Sequence, residues 1–399
     1  MEFNNKIVGI WGFGRVGQSV ANFCTQKGAK IIVWNDSPLI SCPYPQASSL
    51  DHLFTQCDTI VPSPGVDITP YLDRCPDKWL MELDIFQHYF TKKIVAITGT
   101  LGKTTVTTLL TQSLKDHGLR AIAAGNIGLP CLDIIQIQDQ LDFAVLEVSS
   151  FQLEHCVSFA PDLALWTNFF PNHLDRHKTL DAYFLAKLSL LKNQTASQAA
   201  IVPIDIQDAL KPYNLKTSIH YFSESGFKLN QKIVEAALKI ITGIEHPQVS
   251  TCSLEHRLEP VTTINNIQFI NDSKSTTPQS TLAALQAVSG KRIILFLGGL
   301  SKGVDRSSLI YALPKTNIIV LCFGKESVAL HNVCAAQHII SYAYPTLEEA
   351  FKQCTTLMEP GDCILFSPSG SSYDLFENYE DRGRHFKKHV AQYVKLISH

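Results

Sequence analysis

The sequence predicts an α/β protein of three domains with mostly parallel sheets. The chain has 399 residues, which is more than one hydrophobic core ordinarily serves. Short apolar, strand-like runs alternate with helical stretches along the whole chain, as in sheets whose parallel strands are joined by helices. Glycine-rich turns follow several of these runs, where α/β sheets bind ligands. We expect domains at residues 1–90, 91–251 and 252–399.

The first segment opens with a strand, a glycine turn, a helix and a second strand. Residues 12–17 (GFGRVG) lie between predicted strands at 7–11 and 30–34, and Asp36 follows about 20 residues further on. This Rossmann-like unit predicts a nucleotide at the turn. The pattern leaves the nucleotide open, and a purely structural tight turn would have the same sequence.

The second segment carries a phosphate loop, residues 99–105 (GTLGKTT), after a predicted strand at 94–97. Backbone N–H groups of such a loop surround a phosphate, Lys103 reaches the terminal phosphates, and the Thr104 hydroxyl ligates Mg²⁺. The first glycine of the usual GxxxxGK pattern would fall at Ile97, which argues against an ordinary GTPase or motor ATPase. We therefore expect an enzyme that uses ATP.

Two further residues of this segment are candidate metal ligands. Glu147 ends a predicted strand beside the phosphate loop and can hold Mg²⁺ directly or through water. His173 lies in a polar loop, residues 168–177 (NFFPNHLDRH), and is neutral enough near pH 7 to ligate a cation. An ordinary strand-end acid and a plain polar loop residue are the alternatives.

Lys187 stands on an otherwise apolar helical face. A surface lysine whose aliphatic stem covers apolar neighbours has the same pattern. The sequence physics alone does not separate this interpretation from a functional one.

The third segment contains three polar loops. Asp272 and Lys274 lie in residues 271–277 (NDSKSTT), where Asp272 can bind ribose hydroxyls and Lys274 can bind a phosphate or a carboxylate. Alternatively, the serine and threonine hydroxyls of this stretch can cap the helix that follows. Lys302 lies in a glycine-rich turn that suits an anionic substrate, with a solvated turn lysine as the alternative. Residues 367–374 (SPSGSSYD) form a hydroxyl-rich loop that can bind a second carboxylate.

Composition excludes several classes of protein. The 34 basic and 36 acidic residues nearly balance, which argues against a nucleic-acid-binding surface. Eleven dispersed cysteines without metal-like spacing suggest reduced thiols. No signal-peptide pattern and no membrane-length apolar run is seen, so we expect a cytoplasmic protein that binds no membrane.

Eight motifs, in this order, resemble those of the Mur ligase family. The similarity runs over nearly the whole length and is greatest to the member that joins D-glutamate to UDP-N-acetylmuramoyl-L-alanine. The motifs are residues 99–105, 125–128 (GNIG), 146–154 (LEVSSFQLE), 172–177 (NHLDRH), 254–259 (LEHRLE), 271–276, 298–305 (GGLSKGVD) and 367–374.

The resemblance implies an ATP-dependent ligase of peptidoglycan precursor synthesis. It would add D-glutamate to UDP-N-acetylmuramoyl-L-alanine through an acyl phosphate, with two Mg²⁺ sites and a carbamylated Lys187. The first domain would bind the UDP-sugar, the central domain ATP and the last domain the amino acid. The resemblance also implies a cytoplasmic monomer with no nucleic-acid or membrane partner.

The resemblance further implies a role for each matching residue. The catalytic residues would be Lys103, Glu147, His173 and Lys187, of which the last three would also bind metal together with Thr104. ATP would contact Gly99, Thr100, Gly102, Lys103, Thr104, Thr105, Asn230, Arg257, Asp272 and Lys274. The other substrates would contact Gly14, Arg15, Asp36, Ser37, Asn126, Ser149, Gln152, Lys302, Ser372, Tyr373 and Tyr379.

The chain departs from the family pattern near the expected adenine pocket. Leu229 replaces the histidine of the family's HNxxNxxAA motif, and Ile233 replaces its second asparagine. The adenine contacts are therefore not given by the resemblance, whereas the phosphate contacts are.

Three other functions stay open from the sequence. An NAD-dependent oxidoreductase would use residues 12–17 but would leave the phosphate loop and Glu147 without a role. A non-catalytic UDP-sugar sensor fits the altered adenine region but not the retained Lys103 and Lys187. A sister ligase for another amino acid is the third, although the DNPR motif of the diamino-acid type is absent.

Overall fold

A computed structural model describes residues 1–37, 41–223, 229–250, 255–288, 291–301 and 303–397. The chain forms two compact units, Met1–Cys252 and Ser253–His399. The cysteines in the described ranges are free thiols. None of the helices in these ranges combines the length and the apolar character needed to span a bilayer.

The first unit begins with a three-stranded parallel sheet in the order β2-β1-β3. Its strands end at the glycine turn and at Asn35, so their carboxyl ends form the edge where the predicted UDP-sugar contacts lie. Its elements are β1 (Ile7–Trp11), α1 (Arg15–Gln26), β2 (Lys30–Trp34), α2 (Leu50–Gln56), β3 (Thr59–Pro62) and α3 (Glu82–Tyr89).

The same unit contains a second, six-stranded parallel sheet in the order β5-β6-β4-β7-β8-β9. Its central strand is a continuous apolar run, as expected of a parallel strand covered on both faces. Its elements are β4 (Lys93–Thr98), α4 (Lys103–Asp116), β5 (Ala121–Gly125), β6 (Phe143–Glu147), α5 (Ser150–Leu153), β7 (Leu163–Trp166), α6 (Leu174–His177), α7 (Leu180–Lys192), β8 (Ala199–Pro203), α8 (Gln207–Leu210), β9 (Ser218–Phe222) and α9 (Leu229–Thr242).

Two buried acids of helix α3 connect the two sheets of the first unit through hydrogen bonds. The Asp84 carboxylate accepts backbone N–H groups of Val157 (3.1 Å), Ser158 (2.7 Å) and Phe159 (3.0 Å). Glu82 accepts the backbone N–H of Cys131 at 3.1 Å. One continuous hydrophobic core runs from the first sheet into the second. The predicted boundary between residues 90 and 91 falls between sheets that share this core.

The second unit is a six-stranded sheet in the order β10-β11-β15-β12-β13-β14, with β10 antiparallel to β11 and the other pairs parallel. The neighbouring strands β11, β15 and β12 end at one edge, where the three polar loops follow. The elements are β10 (Glu259–Ile264), β11 (Ile267–Asn271), α10 (Pro278–Ala287), β12 (Ile293–Gly298), α11 (Ser307–Ala312), β13 (Ile318–Phe323), α12 (Ser327–Ala336), β14 (Ser341–Tyr344), α13 (Leu347–Leu357), β15 (Cys363–Phe366) and α14 (Tyr379–Ile397).

The predicted fold class is confirmed. The sheets are mostly parallel, and the predicted strands before the glycine turn, the phosphate loop and Glu147 are all present. The helix after the phosphate loop starts at Lys103, within the loop motif itself. Gly102 adopts a left-handed conformation (φ 82°) directly before it, which lets the chain turn from the loop into the helix within one residue.

Candidate active site

The phosphate loop joins β4 to α4 and is shaped by two glycines. Gly99 has φ 142°, and a Cβ there would lie 2.0 Å from the Thr167 hydroxyl oxygen. A Cβ on Gly102 would lie 2.6 Å from the Asn230 amide oxygen. The side chains of Thr167 and Asn230 therefore pack directly against the loop backbone, and a Cβ at either glycine would overlap with them. The predicted contact residue Asn230 indeed lies against this loop.

Two residues that the sequence interpretation did not select hold the loop from the next strand. The Asn168 side chain accepts the backbone N–H of Leu101 at 2.8 Å and donates to its carbonyl at 3.0 Å. The Thr167 hydroxyl donates to the same carbonyl at 2.6 Å. Both follow β7, which pairs with β4. Their position just past a neighbouring parallel strand was the signal that could have identified them.

Lys103 is the first residue of α4, and its amine folds back over the loop. It donates to the carbonyls of Gly99 (3.0 Å) and Thr100 (3.2 Å). Thr104 and Thr105 follow in the first helical turn, half-buried. A cation, a helix N-terminus and free hydroxyls converge here, which is the arrangement that binds phosphate.

Lys187, from α7, lies in the same place and is buried, with 1% of its surface exposed. Its amine donates to the Gly99 carbonyl at 2.8 Å and lies 4.5 Å from the Tyr183 ring centre. Burial first, and then the positive charge of Lys103, hold the pKa of Lys187 well below its usual value. The surface-lysine interpretation is therefore wrong, and the neutral amine is favoured.

Glu147 ends β6, directly beside β4. One carboxylate oxygen accepts the Asn126 amide at 2.8 Å. The other is buried and has no hydrogen-bond partner among the described residues. A buried carboxylate oxygen left without a donor suits a divalent cation, since such cations prefer oxygen ligands. The residues present therefore fit the predicted metal site.

His173 precedes α6 in a left-handed conformation, φ 54°. Its ring meets that of Phe151 edge-on, with 5.0 Å between centres. Desolvation by surrounding protein, followed by the charges of Lys103 and Lys187, lowers the pKa of His173 to about 4. The imidazole is neutral at pH 7 and keeps a lone pair for a cation.

The predicted UDP-sugar contacts of the first sheet lie at its carboxyl edge. Gly14 is the residue before α1, and the Arg15 guanidinium donates to the carbonyl of Gly128 in the GNIG turn. Asp36 accepts the indole N–H groups of Trp11 (3.4 Å) and Trp34 (3.2 Å) and remains exposed, as does the adjacent Ser37.

Ser149 and Gln152 form reciprocal hydrogen bonds. The Ser149 hydroxyl accepts the backbone N–H of Gln152, while the Gln152 side chain accepts the backbone N–H of Ser149, at 3.2 and 3.0 Å. This capping box starts α5. It gives both residues a structural role beside the predicted substrate role.

The predicted residues of the second unit form a separate group. Asp272 is buried and accepts the backbone N–H of Leu258 (3.1 Å) and the Ser367 hydroxyl (2.7 Å). Burial raises the pKa of Asp272 to about 6, against these hydrogen bonds. The Lys274 amine donates to the Tyr379 hydroxyl at 2.9 Å.

Other predicted residues of this unit differ in exposure. Ser372 is buried, whereas Tyr373 is exposed. Arg257 is half-buried just before β10. Lys302 lies outside the described residues.

The altered adenine motif lies on α9. Ile233 is buried in the apolar core between α9 and the central sheet, so its side chain has no exposed surface for a base. Asn230, one turn earlier on the helix, is half-buried beside Gly102.

Three family profiles match the chain. The Mur ligase middle domain matches residues 97–264, and the glutamate ligase domain of the Mur ligases matches residues 256–370. The NAD-binding domain of D-isomer specific 2-hydroxyacid dehydrogenases matches residues 1–64. The dehydrogenase similarity thus covers the strands of the first sheet and the glycine turn and ends shortly after β3.

Curated relatives match almost end to end. A UDP-N-acetylmuramoylalanine–D-glutamate ligase of Oleidesulfovibrio alaskensis is 33% identical over 96% of this chain and 93% of its own. The enzyme of the same name from Lawsonia intracellularis is 32% identical over 96% and 94%.

Solved structures agree on the fold. A MurF ligase from Thermotoga maritima, in complex with ADP, has a TM-score of 0.60 at 14% identity and covers 98% of this chain and 96% of its own. A pseudomurein peptide ligase type C from Methanothermus fervidus has a TM-score of 0.58 at 16% identity, covering 97% of this chain and 100% of its own.

Proposed function

Because the chain belongs to the Mur ligase family and is an ATP-dependent, amide-bond-forming ligase, we propose that it joins D-glutamate to the L-alanyl carboxylate of UDP-N-acetylmuramoyl-L-alanine. The observation that carries the proposal is the convergence of Lys103, Lys187 and Glu147 at one edge of the central sheet, in a chain similar end to end to D-glutamate ligases. Such an enzyme acts in peptidoglycan precursor synthesis, and we infer that this protein is cytoplasmic.

The phosphate loop, Lys103 and the N-terminus of α4 would bind the ATP phosphates. Thr104, Glu147 and His173 would hold Mg²⁺. This fit is supported by the neutral His173 and by the Glu147 oxygen that has no hydrogen-bond partner in the described part of the chain. When bound, the metal neutralises negative charge on phosphate oxygens. We infer two such sites, with Lys187 as a ligand of one after modification.

We infer that Lys187 is carbamylated, and its environment supports this proposal. Burial and Lys103 favour the neutral amine, whose nitrogen lone pair can attack CO₂. A nitrogen–carbon bond forms, one C=O π bond opens onto oxygen, and the nitrogen releases its proton. The product is an anion with two oxygen donors next to Lys103. The modification thus replaces a repulsion between two cations with an attraction, and turns a lysine into a cation ligand.

In the reaction the L-alanyl carboxylate attacks the γ-phosphorus of ATP in line, and the bond to the ADP oxygen breaks. Lys103 stabilises the charge on the transferred group. The amine of D-glutamate then attacks the acyl phosphate carbonyl. Phosphate leaves from the tetrahedral intermediate, and the amine loses a proton. Acyl phosphates hydrolyse readily, so the bound substrates must exclude water.

The other predicted contacts divide between the two units. Gly14, Arg15, Asp36 and Ser37 would bind the UDP part at the first sheet, and Asn126, which touches Glu147, would lie near the sugar. In the second unit, Lys302, Ser372 and Tyr379 would hold the carboxylates of D-glutamate, whereas Arg257, Asp272 and Lys274 would contact ATP.

Phosphate release tests the proposal directly. The protein is incubated with Mg-ATP and UDP-N-acetylmuramoyl-L-alanine, and D-glutamate is compared with L-glutamate, L-alanine and diaminopimelate. We expect release that depends on D-glutamate and disappears in Lys103→Ala, which should still bind the UDP-sugar. Release with another amino acid would identify a sister ligase. Tight UDP-sugar binding with no release for any amino acid would identify a sensor instead.

A further inference from the structure

The second unit buries two arginines near the loops that follow β11, β12 and β15. Arg382, in α14, is fully buried, and Arg306, just before α11, is 6% exposed. Burial lowers the pKa of both guanidinium groups. A buried charge costs stability unless its partners compensate it fully. Their contacts therefore indicate what the two side chains do.

Arg382 binds two of the loops through their backbones. Its Nη2 donates to the Ser273 carbonyl at 2.7 Å, and its Nε donates to the Ser273 hydroxyl at 3.1 Å. Its Nη1 donates to the Gly370 carbonyl at 2.8 Å. One planar group thus fixes the loop after β11 against the loop after β15.

Arg306 binds the third loop. Its Nη1 and Nη2 donate to the carbonyls of Gly298 (3.0 Å) and Gly299 (3.2 Å). Its remaining partner is the Glu326 carboxylate, which also accepts the backbone N–H of Ser301 at 3.0 Å. Arginine and glutamate together therefore hold residues 298–301.

The loops after β12 and β15 also bind each other. Leu300 and Ser371 exchange two backbone hydrogen bonds of 2.9 Å. A Cβ on Gly370 would lie 2.4 Å from the Gly298 carbonyl oxygen and 2.8 Å from the Arg306 Nη1 atom. The backbones are therefore in direct contact, with the guanidinium groups packed against both.

We propose that Arg306 and Arg382 are positioning residues that preset the substrate-binding loops of the second unit. The proposal rests on the proposed function, in which the loops after β12 and β15 bind D-glutamate and the loop after β11 contacts ATP. Neither arginine touches substrate: each acts through the backbone of residues 273–275, 298–301 or 370–372. Guanidinium groups suit this role because they present several donors in a rigid plane, which an ammonium group does not.

The test uses Arg→Lys variants of the full chain, which keep the charge and lose the planar donor set. Arg382→Lys and Arg306→Lys are compared with Arg292→Lys. Arg292 is a matched control because it lies directly before β12, at the opposite edge of the same sheet, and binds Asp362 through two hydrogen bonds of 2.9 Å.

Two measurements are made on each variant. The first is the KM for D-glutamate, for ATP and for UDP-N-acetylmuramoyl-L-alanine. The second is backbone hydrogen exchange of the unliganded protein over residues 273–275, 298–301 and 370–372. In the two loop variants we expect the KM for D-glutamate to rise roughly tenfold or more, the KM for UDP-N-acetylmuramoyl-L-alanine to stay within about twofold, and exchange to speed up in the three loops. The KM for ATP should also rise in Arg382→Lys, because Arg382 holds Ser273 beside Asp272, and should stay within about twofold in Arg306→Lys. Arg292→Lys should change neither.

Equal changes in all three KM values, or equally fast loop exchange in Arg292→Lys, would show a general loss of stability and overturn the proposal. So would loop variants with unchanged exchange and an unchanged KM for D-glutamate. If the protein without substitutions releases no phosphate with D-glutamate, the proposed function fails. Hydrogen exchange of the variants still decides whether the arginines order the loops. If one loop variant does not fold, the other decides.

Discussion

The Lys187 amine lies 2.8 Å from the carbonyl oxygen of Gly99, which connects the middle of α7 to the start of the phosphate loop. The contact joins residues 88 positions apart and places a buried amine, whose pKa is lowered by burial and by Lys103, where phosphate is expected. A lysine that served only solubility would not be buried in this way.

Replacing Lys187 by alanine should abolish ligation and leave a site that small carboxylates can fill. We expect phosphate release to fall roughly a thousandfold and to recover in part with added acetate or formate, which supply the missing oxygens. Methylamine should have no effect. Lys192→Ala, an exposed position on the same helix, is the control. Recovery with methylamine instead of carboxylates would contradict the carbamate.

Glu147→Gln should weaken metal binding without disturbing the fold. The glutamine oxygen can still accept the Asn126 amide, but the negative charge is lost. We expect the Mg²⁺ concentration for half-maximal activity to rise by roughly tenfold or more. Asp139→Asn, which neutralises an exposed acid of the same unit, should leave it unchanged. An unaltered Mg²⁺ requirement in Glu147→Gln would remove this residue from the metal site.

Glu82 should make the stability of the first unit depend on pH. Burial raises the pKa of Glu82 from 4.5 to about 7, with a smaller contribution from Asp133, against hydrogen bonds from Cys131 and Gln152. The folded state therefore binds this proton more tightly than the unfolded state. Stability should fall as the pH rises from about 4.5 through 7, by roughly 3 kcal/mol at most.

Urea unfolding at pH 5 and pH 8, compared with Glu82→Gln, measures this dependence. The variant cannot ionise at this position, so its unfolding midpoint should change less between the two pH values. Identical pH dependence in both proteins would show that Glu82 is not the responsible group.

Asp84→Ala should destabilise the junction between the two sheets of the first unit. The substitution removes the acceptor of the backbone N–H groups of residues 157–159, of which that of Phe159 is buried, and we expect a loss of roughly 2–4 kcal/mol in the free energy of unfolding. Urea denaturation measures it. Asp51→Ala, which removes an exposed ion pair with Arg74, should cost less than about 1 kcal/mol. Equal costs would mean that solvent reaches the junction.

The sequence predicts where the candidate site residues of the six-stranded sheet in the first unit lie, because the physics behind their positions is local. Glycines, a lysine and an acid each stand at the end of an apolar strand, and the carboxyl ends of neighbouring parallel strands share one edge. The positions of Lys103, Glu147 and His173 follow from that rule. The rule does not predict the position of Lys187, which lies in the middle of a helix. Its expected role comes from the motif resemblance alone.

The supporting arginines could not be predicted in the same way. Arg306 and Arg382 bind backbone carbonyl groups, which every residue carries, so no partner residue type marks them. The Arg382 contact with Ser273 spans 109 residues, and its geometry exists only once the sheet has formed. The capping box of Ser149 and Gln152 is the exception, since its spacing of three is readable directly.

The continuous core beneath α3 limits how this chain can be divided or recombined. Phe86 and Phe90, on one side of the junction, belong to the same buried cluster as Leu146 and Phe159 on the other. Cutting the chain after residue 90 would uncover apolar surface on both products and favour their aggregation. A chimera that exchanges the first 90 residues with another ligase would need compatible side chains across this junction, so the two sheets of the first unit are expected to evolve as one inherited block.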